Sequence, residues 1–161
     1  MRNVEMIKRK DKMIKDKRKD VYKETITLKE PTQCIVCNAV FVNGRWTWNQ
    51  IPEKTFRTVC PACRRITDKF PAGIIKINGG FCYDHRTEIL NLVRNVEKLE
   101  KTERPMERII NIKEENSHVS VTTTGIHIAR RIGEAIYRSY ACDFSFQYGD
   151  GEKSIRVFCN R

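Results

Sequence analysis

Apolar residues are scattered before Pro31 and recur in two distinct rhythms after it. Between Pro31 and Pro71 the runs are short. Ala39-Val40-Phe41-Val42 and Arg45-Trp46-Thr47-Trp48 flank Asn43-Gly44, which tolerates the positive φ of a two-residue turn, so a hairpin is predicted. Beyond Pro71 the periods lengthen. Ile74-Ile75-Lys76-Ile77 predicts a strand and Asn78-Gly79-Gly80 a break. From Asp84 to Arg104 the residues Ile89, Leu92, Val93, Val96 and Leu99 recur at helical spacing. Asp84 is the expected cap of that helix, and Pro105 stops it. Glu107–Lys113 and His118–Thr122 alternate around Asn116-Ser117, a further hairpin. A second helix is predicted from about Gly125 to Tyr140, burying Ile128, Ile132, Ala135 and Ile136. Asp143–Tyr148 and Lys153–Cys159, split by Gly149-Asp150-Gly151, predict the last hairpin.

From residue 74 the order is therefore strand, helix, strand, strand, helix, strand, strand. That order predicts an α+β split βαβ domain, with two helices packed on one face of an antiparallel sheet.

The cysteines change the reading of the shorter runs. Cys34-x-x-Cys37 and Cys60-x-x-Cys63 lie 22 residues apart. A CxxC turn lets two thiolates converge on one ion, and four sulfurs at about 2.3 Å close a tetrahedral structural site with no open position. One structural Zn2+ on Cys34, Cys37, Cys60 and Cys63 is expected, with a redox dithiol or an iron centre as the alternatives. Short strands between two such turns predict a zinc ribbon whose folding is driven by metal. Asn38 can adopt the positive φ that often follows the second cysteine of a knuckle, whereas Arg64 fits that role poorly. Cys82, Cys142 and Cys159 lack paired spacing and read as small buried hydrophobes, although Cys82 and His85 could form half of another metal site. The domains follow as 1–30 basic arm and linker, 31–73 zinc ribbon, and 74–161 α+β domain.

Charge then separates the segments. Lys and Arg outnumber Asp and Glu by 31 to 20, a net +11, and residues 1–20 alone carry nine basic and four acidic side chains. Residues 31–73 are net +4, and 74–161 only +2. The arm buries too little to order alone and reads as disordered or as a frayed helix. No apolar signal segment opens the chain and no run approaches a membrane span, so a reducing cytoplasm is expected. A concentrated positive field favours polyanions, nucleic acid foremost.

The candidate contacts are the arm (Lys8, Arg9, Lys10, Lys17, Arg18, Lys19), the ribbon (Arg45, Trp48, Arg57, Arg64, Arg65) and the second helix (Arg130, Arg131, Arg138). Trp46 and Trp48 share a strand face and can fill the thin ribbon core or stack on unpaired bases, with Arg45 and Arg57 on phosphate. Arg64-Arg65 is expected to point outward. On the second helix His127, Arg130, Arg131, Glu134 and Arg138 lie opposite the apolar stripe, behind a Thr122-Thr123-Thr124 start that suits capping and anions. The plainer reading of each group is a solvated surface. Catalysis is poorly supported. The three histidines sit in no nucleophile or HExxH context, and no Gly-rich phosphate loop is present.

The run CIVCN, GRWTW, CPACRRITDKFPAGIIKINGGF, HRTEILNLVRNVEKLE and TTTGIHIARRIGEAIYRSY resembles a small bacterial family of uncharacterised zinc-ribbon proteins, over most of the chain after Pro31. More distantly it resembles the N-terminal part of the archaeal and eukaryotic adaptor that binds the large ribosomal subunit during late maturation and export. In that adaptor CxxC ribbons precede a strand, a helix near a His-Arg pair, a NIKE-type hairpin and another helix. The corresponding residues here are His85-Arg86, Asn111-Ile112-Lys113-Glu114 and the helix from Gly125. The adaptor carries more CxxC pairs than this chain, which also lacks its later domains and export signals. The resemblance implies contact with ribosomal RNA and no export role. The expected function is a non-enzymatic zinc protein on the ribosome, in assembly, quality control or dormancy, with no small-molecule substrate. A DNA-binding transcription or stress regulator and a protein-interaction zinc module are the rivals.

Overall fold

The computed structural model describes residues 28–149 and 154–161. The six arm residues named above and most of the Gly149-Asp150-Gly151 turn lie outside the described residues. Among the described residues the fold is mixed α+β, with two sheets and four helices.

The smaller sheet joins β1 (Thr32–Cys34), β2 (Val40–Val42), β3 (Arg45–Thr47) and β4 (Phe56–Thr58) in the order β3-β2-β1-β4. The β2–β3 turn is the Asn43-Gly44 pair at φ 52° and 75°, as a type I′ turn requires. Both of its N–H groups donate to the Glu30 carboxylate at 2.9 Å. β4 returns parallel to β1 and leads into α1 (Pro61–Asp68). The short strands expected between the two cysteine pairs are present, and the second pair opens a helix. Pro61 at the first helical position favours this, since its missing N–H costs nothing there and its φ is already helical.

The larger sheet holds β5 (Gly73–Asn78), β6 (Ile109–Glu114), β7 (His118–Thr123), β8 (Asp143–Gly149) and β9 (Ser154–Asn160), in the order β6-β7-β5-β9-β8. A wholly antiparallel sheet was expected, yet β9 lies between β5 and β8 and runs parallel to β5. Burial explains the choice. Ile155, Val157 and Cys159 of β9 are buried, so that strand takes the interior position, while β8 alternates exposed and half-buried residues and forms the edge.

Ile75, Ile77, Val119, Val121, Ile155 and Val157 form one core with α3 (Arg86–Glu103) and α4 (Ile126–Tyr140). A short α2 (Gly80–Asp84) precedes α3, which starts at Arg86 with His85 as its N-cap and no side-chain cap bond, so Asp84 does not cap it. The predicted α3 stripe holds at Ile89 and Val93 but fails at Leu99, which is 72% exposed. At about 100° per residue, the face centred on Ile89, Leu90 and Val93 is continued by Glu97 and Glu100 rather than by Leu99. Glu97 accepts the Ile109 N–H at 2.8 Å. On α4 the buried residues are Ile128, Ala129, Ile132, Gly133 and Ile136, with Ala135 half-buried. Cys82, Cys142 and Cys159 are buried in this core. No helix among the described residues is long and apolar enough to cross a membrane.

Candidate metal centre

The first cysteine pair sits on a tight turn at the end of β1. Cys34 N–H donates to the Ala39 carbonyl at 2.8 Å, and Asn38 N–H donates back to the Cys34 carbonyl at 3.0 Å. Asn38 takes φ 65°, a left-handed conformation that asparagine tolerates well. Ile35 N–H reaches the Thr58 carbonyl at 2.9 Å, which ties this turn to the strand delivering the second pair.

Cys60 is the N-cap of α1, and its sulfur accepts the Cys63 N–H at 3.4 Å. Because Cys63 and Arg64 are helical, Arg64 needs no positive φ. The helix start also favours negative charge on both sulfurs. Cys60 N–H in turn donates to the Cys34 sulfur at 3.3 Å, linking the pairs.

All four sulfurs lie within 4.8 Å of one another, and the Cys34–Cys63 and Cys37–Cys60 separations are both 3.8 Å. Ligands about 2.3 Å from a common tetrahedral centre are about 3.8 Å apart, so the set fits one ion bound by four thiolates. Cys34, Cys60 and Cys63 are buried and Cys37 half-buried, which leaves little room for a further ligand. Burial pushes the Cys60 and Cys63 thiols up. For Cys34 burial also acts upward, but N–H donors at Cys37, Cys60 and Val36 outweigh it and bring the thiol down to about 7. Four cysteines are thus positioned to bind one metal ion. Among the described residues no other group of three or more such side chains converges, and Cys82 and His85 form no part of one.

The charged group facing these sulfurs comes from the α+β domain. Arg108, just before β6, is 6% exposed and points its guanidinium at three of them. Nη1 donates to Cys63 at 3.4 Å, and Nη2 to Cys60 at 3.2 Å and Cys37 at 3.4 Å. Its Nε donates to the Pro105 carbonyl at 2.8 Å, and its backbone N–H to Thr124 Oγ1 at 2.9 Å. Sequence reasoning missed Arg108. It lies 45 residues beyond Cys63, inside an alternating run that reads as an ordinary strand.

The structure distributes the candidate basic residues unevenly. Arg45, Arg57 and Arg64 are exposed on the cysteine module, and none has an acidic partner among the described residues. Arg65 is the correction: it is buried, donates to the Phe70 carbonyl at 3.2 Å, and stacks on the Phe70 ring. Helix periodicity turns it inward where Arg64 turns out. Trp46 packs against Phe41 and the cysteine cluster. Trp48 lies past the end of β3 and donates its indole N–H to the Lys101 carbonyl at 2.6 Å, which clasps the module to α3.

The α4 face is less cationic than its sequence. Arg130 pairs with Glu134 at 3.1 Å, while Arg131 and His127 both reach Glu100, at 3.4 and 3.0 Å. His127, Arg130, Arg131 and Glu134 line a shallow hollow of about 160 Å³. Arg138 is exposed. The start of α4 also differs from expectation. Gly125 is its N-cap, the threonines make no cap bond, and the Glu107 carboxylate accepts the Ile128 N–H at 3.0 Å. A carboxylate of the chain itself occupies the place proposed for an external anion.

Comparison with protein-family models, curated proteins and solved structures yields no match to this chain.

Proposed function

We propose that this chain is a non-enzymatic zinc protein whose cysteine module is a rigid cationic pad for structured RNA, ribosomal RNA being the favoured partner. Zinc is the ion that suits a closed, largely buried four-sulfur set with two edges of 3.8 Å and the rest within 4.8 Å, and it does no chemistry there. The observation that carries the RNA reading is the contrast in charge pairing. Arg45, Arg57 and Arg64 are exposed without acidic partners among the described residues, whereas Arg130 and Arg131 are already neutralised. Free cations on a metal-stiffened surface bind phosphate without first breaking an internal pair. The resemblance to the large-subunit adaptor makes ribosomal RNA the preferred polyanion, with the residue 1–20 arm supplying further charge.

Sedimentation of cell lysate through a sucrose gradient tests the reading. The chain should travel with ribosomal particles at low salt and leave them as salt rises. With purified protein, Arg57→Ala and Arg64→Ala should weaken binding to a ribosomal RNA fragment, each lowering the log–log salt slope by about 0.7–0.9. Migration only as free protein at low salt would remove the proposal. A clear preference for duplex DNA would favour a transcription or stress regulator instead.

A second reading, a module that grips an acidic partner protein, draws on one observation. Ile35 and Val36, at the tip of the first cysteine turn, are 59% and 64% exposed. Ile35→Ser with Val36→Ser should spare RNA binding if phosphate contact is the main function.

A further inference from the structure

The cysteine module and the α+β domain meet over little apolar surface. Met106 packs against the cysteine cluster, Trp48 reaches Lys101, and between them Arg108 lies against the sulfurs. Arg108 is a buried cation with an unusual set of partners. Its guanidinium bonds three cysteine sulfurs and one backbone carbonyl, and among the described residues no carboxylate reaches it. A buried cation needs a compensating negative charge close by. A divalent ion with four thiolates carries two negative charges in excess, and three of its four sulfurs lie at hydrogen-bonding distance from this guanidinium. Both ends of the arginine are fixed, since Thr124 takes its backbone N–H and Pro105 its Nε.

Resting on the metal reading above, we infer that Arg108 is a positioning residue of the metal centre: its guanidinium hydrogen-bonds the metal-bound sulfurs of Cys37, Cys60 and Cys63, holds the ion in, and latches the cysteine module to the α+β domain. Hydrogen bonds from a cation to thiolate sulfur withdraw electron density from the metal–sulfur bonds and oppose the excess charge. The same bonds cross from the α+β domain to the cysteine module, so metal retention and docking share one side chain.

The test uses the full chain loaded with zinc, and in parallel with cobalt as a spectroscopic probe. Arg108→Gln should accelerate zinc transfer to a chelator on the order of 10–100-fold, the range seen when partners of metal ligands are removed. Arg108→Lys, which keeps the charge but loses the fork, should fall between. In the cobalt form Arg108→Gln should shift the sulfur-to-metal charge-transfer band, a signature that loss of packing alone would not move. Protease cleavage near residues 70–72, between module and domain, should also speed up. Unchanged zinc release and an unmoved band in Arg108→Gln would overturn the inference while leaving the zinc reading intact. If Arg108→Gln yields no folded protein, Arg108→Lys decides alone: release and band equal to those of the unsubstituted chain overturn it. Absence of any zinc in the unsubstituted protein would instead sink the metal reading itself.

Discussion

Removing the metal from the purified full chain should unfold the cysteine module and spare the larger sheet. Apart from its ligands, the module as far as Pro71 fully buries only the apolar side chains of Ala39, Val40 and Ala62. Their five aliphatic carbons contribute about 4 kcal/mol, at about 0.8 kcal/mol each. Half-buried Phe41, Val42, Trp46, Val59 and Ile66 add about 1 kcal/mol apiece. Binding of a structural zinc by thiolates contributes about 10–16 kcal/mol, so the ion is the larger support. The α+β domain stands differently, because seventeen buried residues among those described form its core and none of them is a ligand. Hydrogen exchange read by mass spectrometry, after chelation confirmed by elemental analysis, separates the two regions. The amides of Cys34, Ile35, Asn38 and Phe56, all hydrogen-bonded in the module, should exchange as in an unfolded chain. Those of β5, β7 and β9 should stay protected. Retained protection at Cys34–Phe56 in metal-free protein would refute the reasoning, and simultaneous loss in β5 would refute the independence of the two cores.

Four substitutions probe the supporting fold. Gly133→Ala places a methyl 2.5 Å from Val157 Cγ1 and 2.6 Å from Phe144 Cε2, so a loss of about 1–3 kcal/mol is expected in denaturant titration. Gly80→Ala is the matched control, since nothing lies within 4 Å of the new carbon, and it should be neutral or slightly stabilising. Gly79→Ala should cost more than Gly133→Ala, because φ is 112° and the added carbon runs into the backbone carbonyl of Arg161; a lower Tm in calorimetry checks it. Glu107→Ala removes the carboxylate at the start of α4 and should cost about 0.5–2 kcal/mol, as loss of a helix cap does, read from the same titrations.

The periodic parts of the chain were legible because their signals are local. The Asn43-Gly44 turn, the alternation in Ile74–Ile77 and the stripe through Ile128, Ile132 and Ile136 each need only a few neighbours to be understood. The four ligands were legible for the same reason, since the spacing within each CxxC pair already lets two sulfurs converge. Leu99 shows where local reading ends. It keeps the helical spacing from Leu92 and Val96, but the buried face is centred on Ile89, Leu90 and Val93. Glu97 and Glu100 continue that face, where Ile109, His127 and Arg131 are their partners.

By itself, then, the amino-acid order determined which cysteines form a metal set and where most strands and helices run. Tertiary structure decided which cations keep no acidic partner among the described residues. It turned Arg65 inward, neutralised Arg130 and Arg131, placed β9 between β5 and β8, and brought Arg108 against the sulfurs. The physical reason is range. Periodicity and turn chemistry act over a handful of residues, whereas a charge is paired or left free by whatever distant segment the packing of two sheets brings beside it.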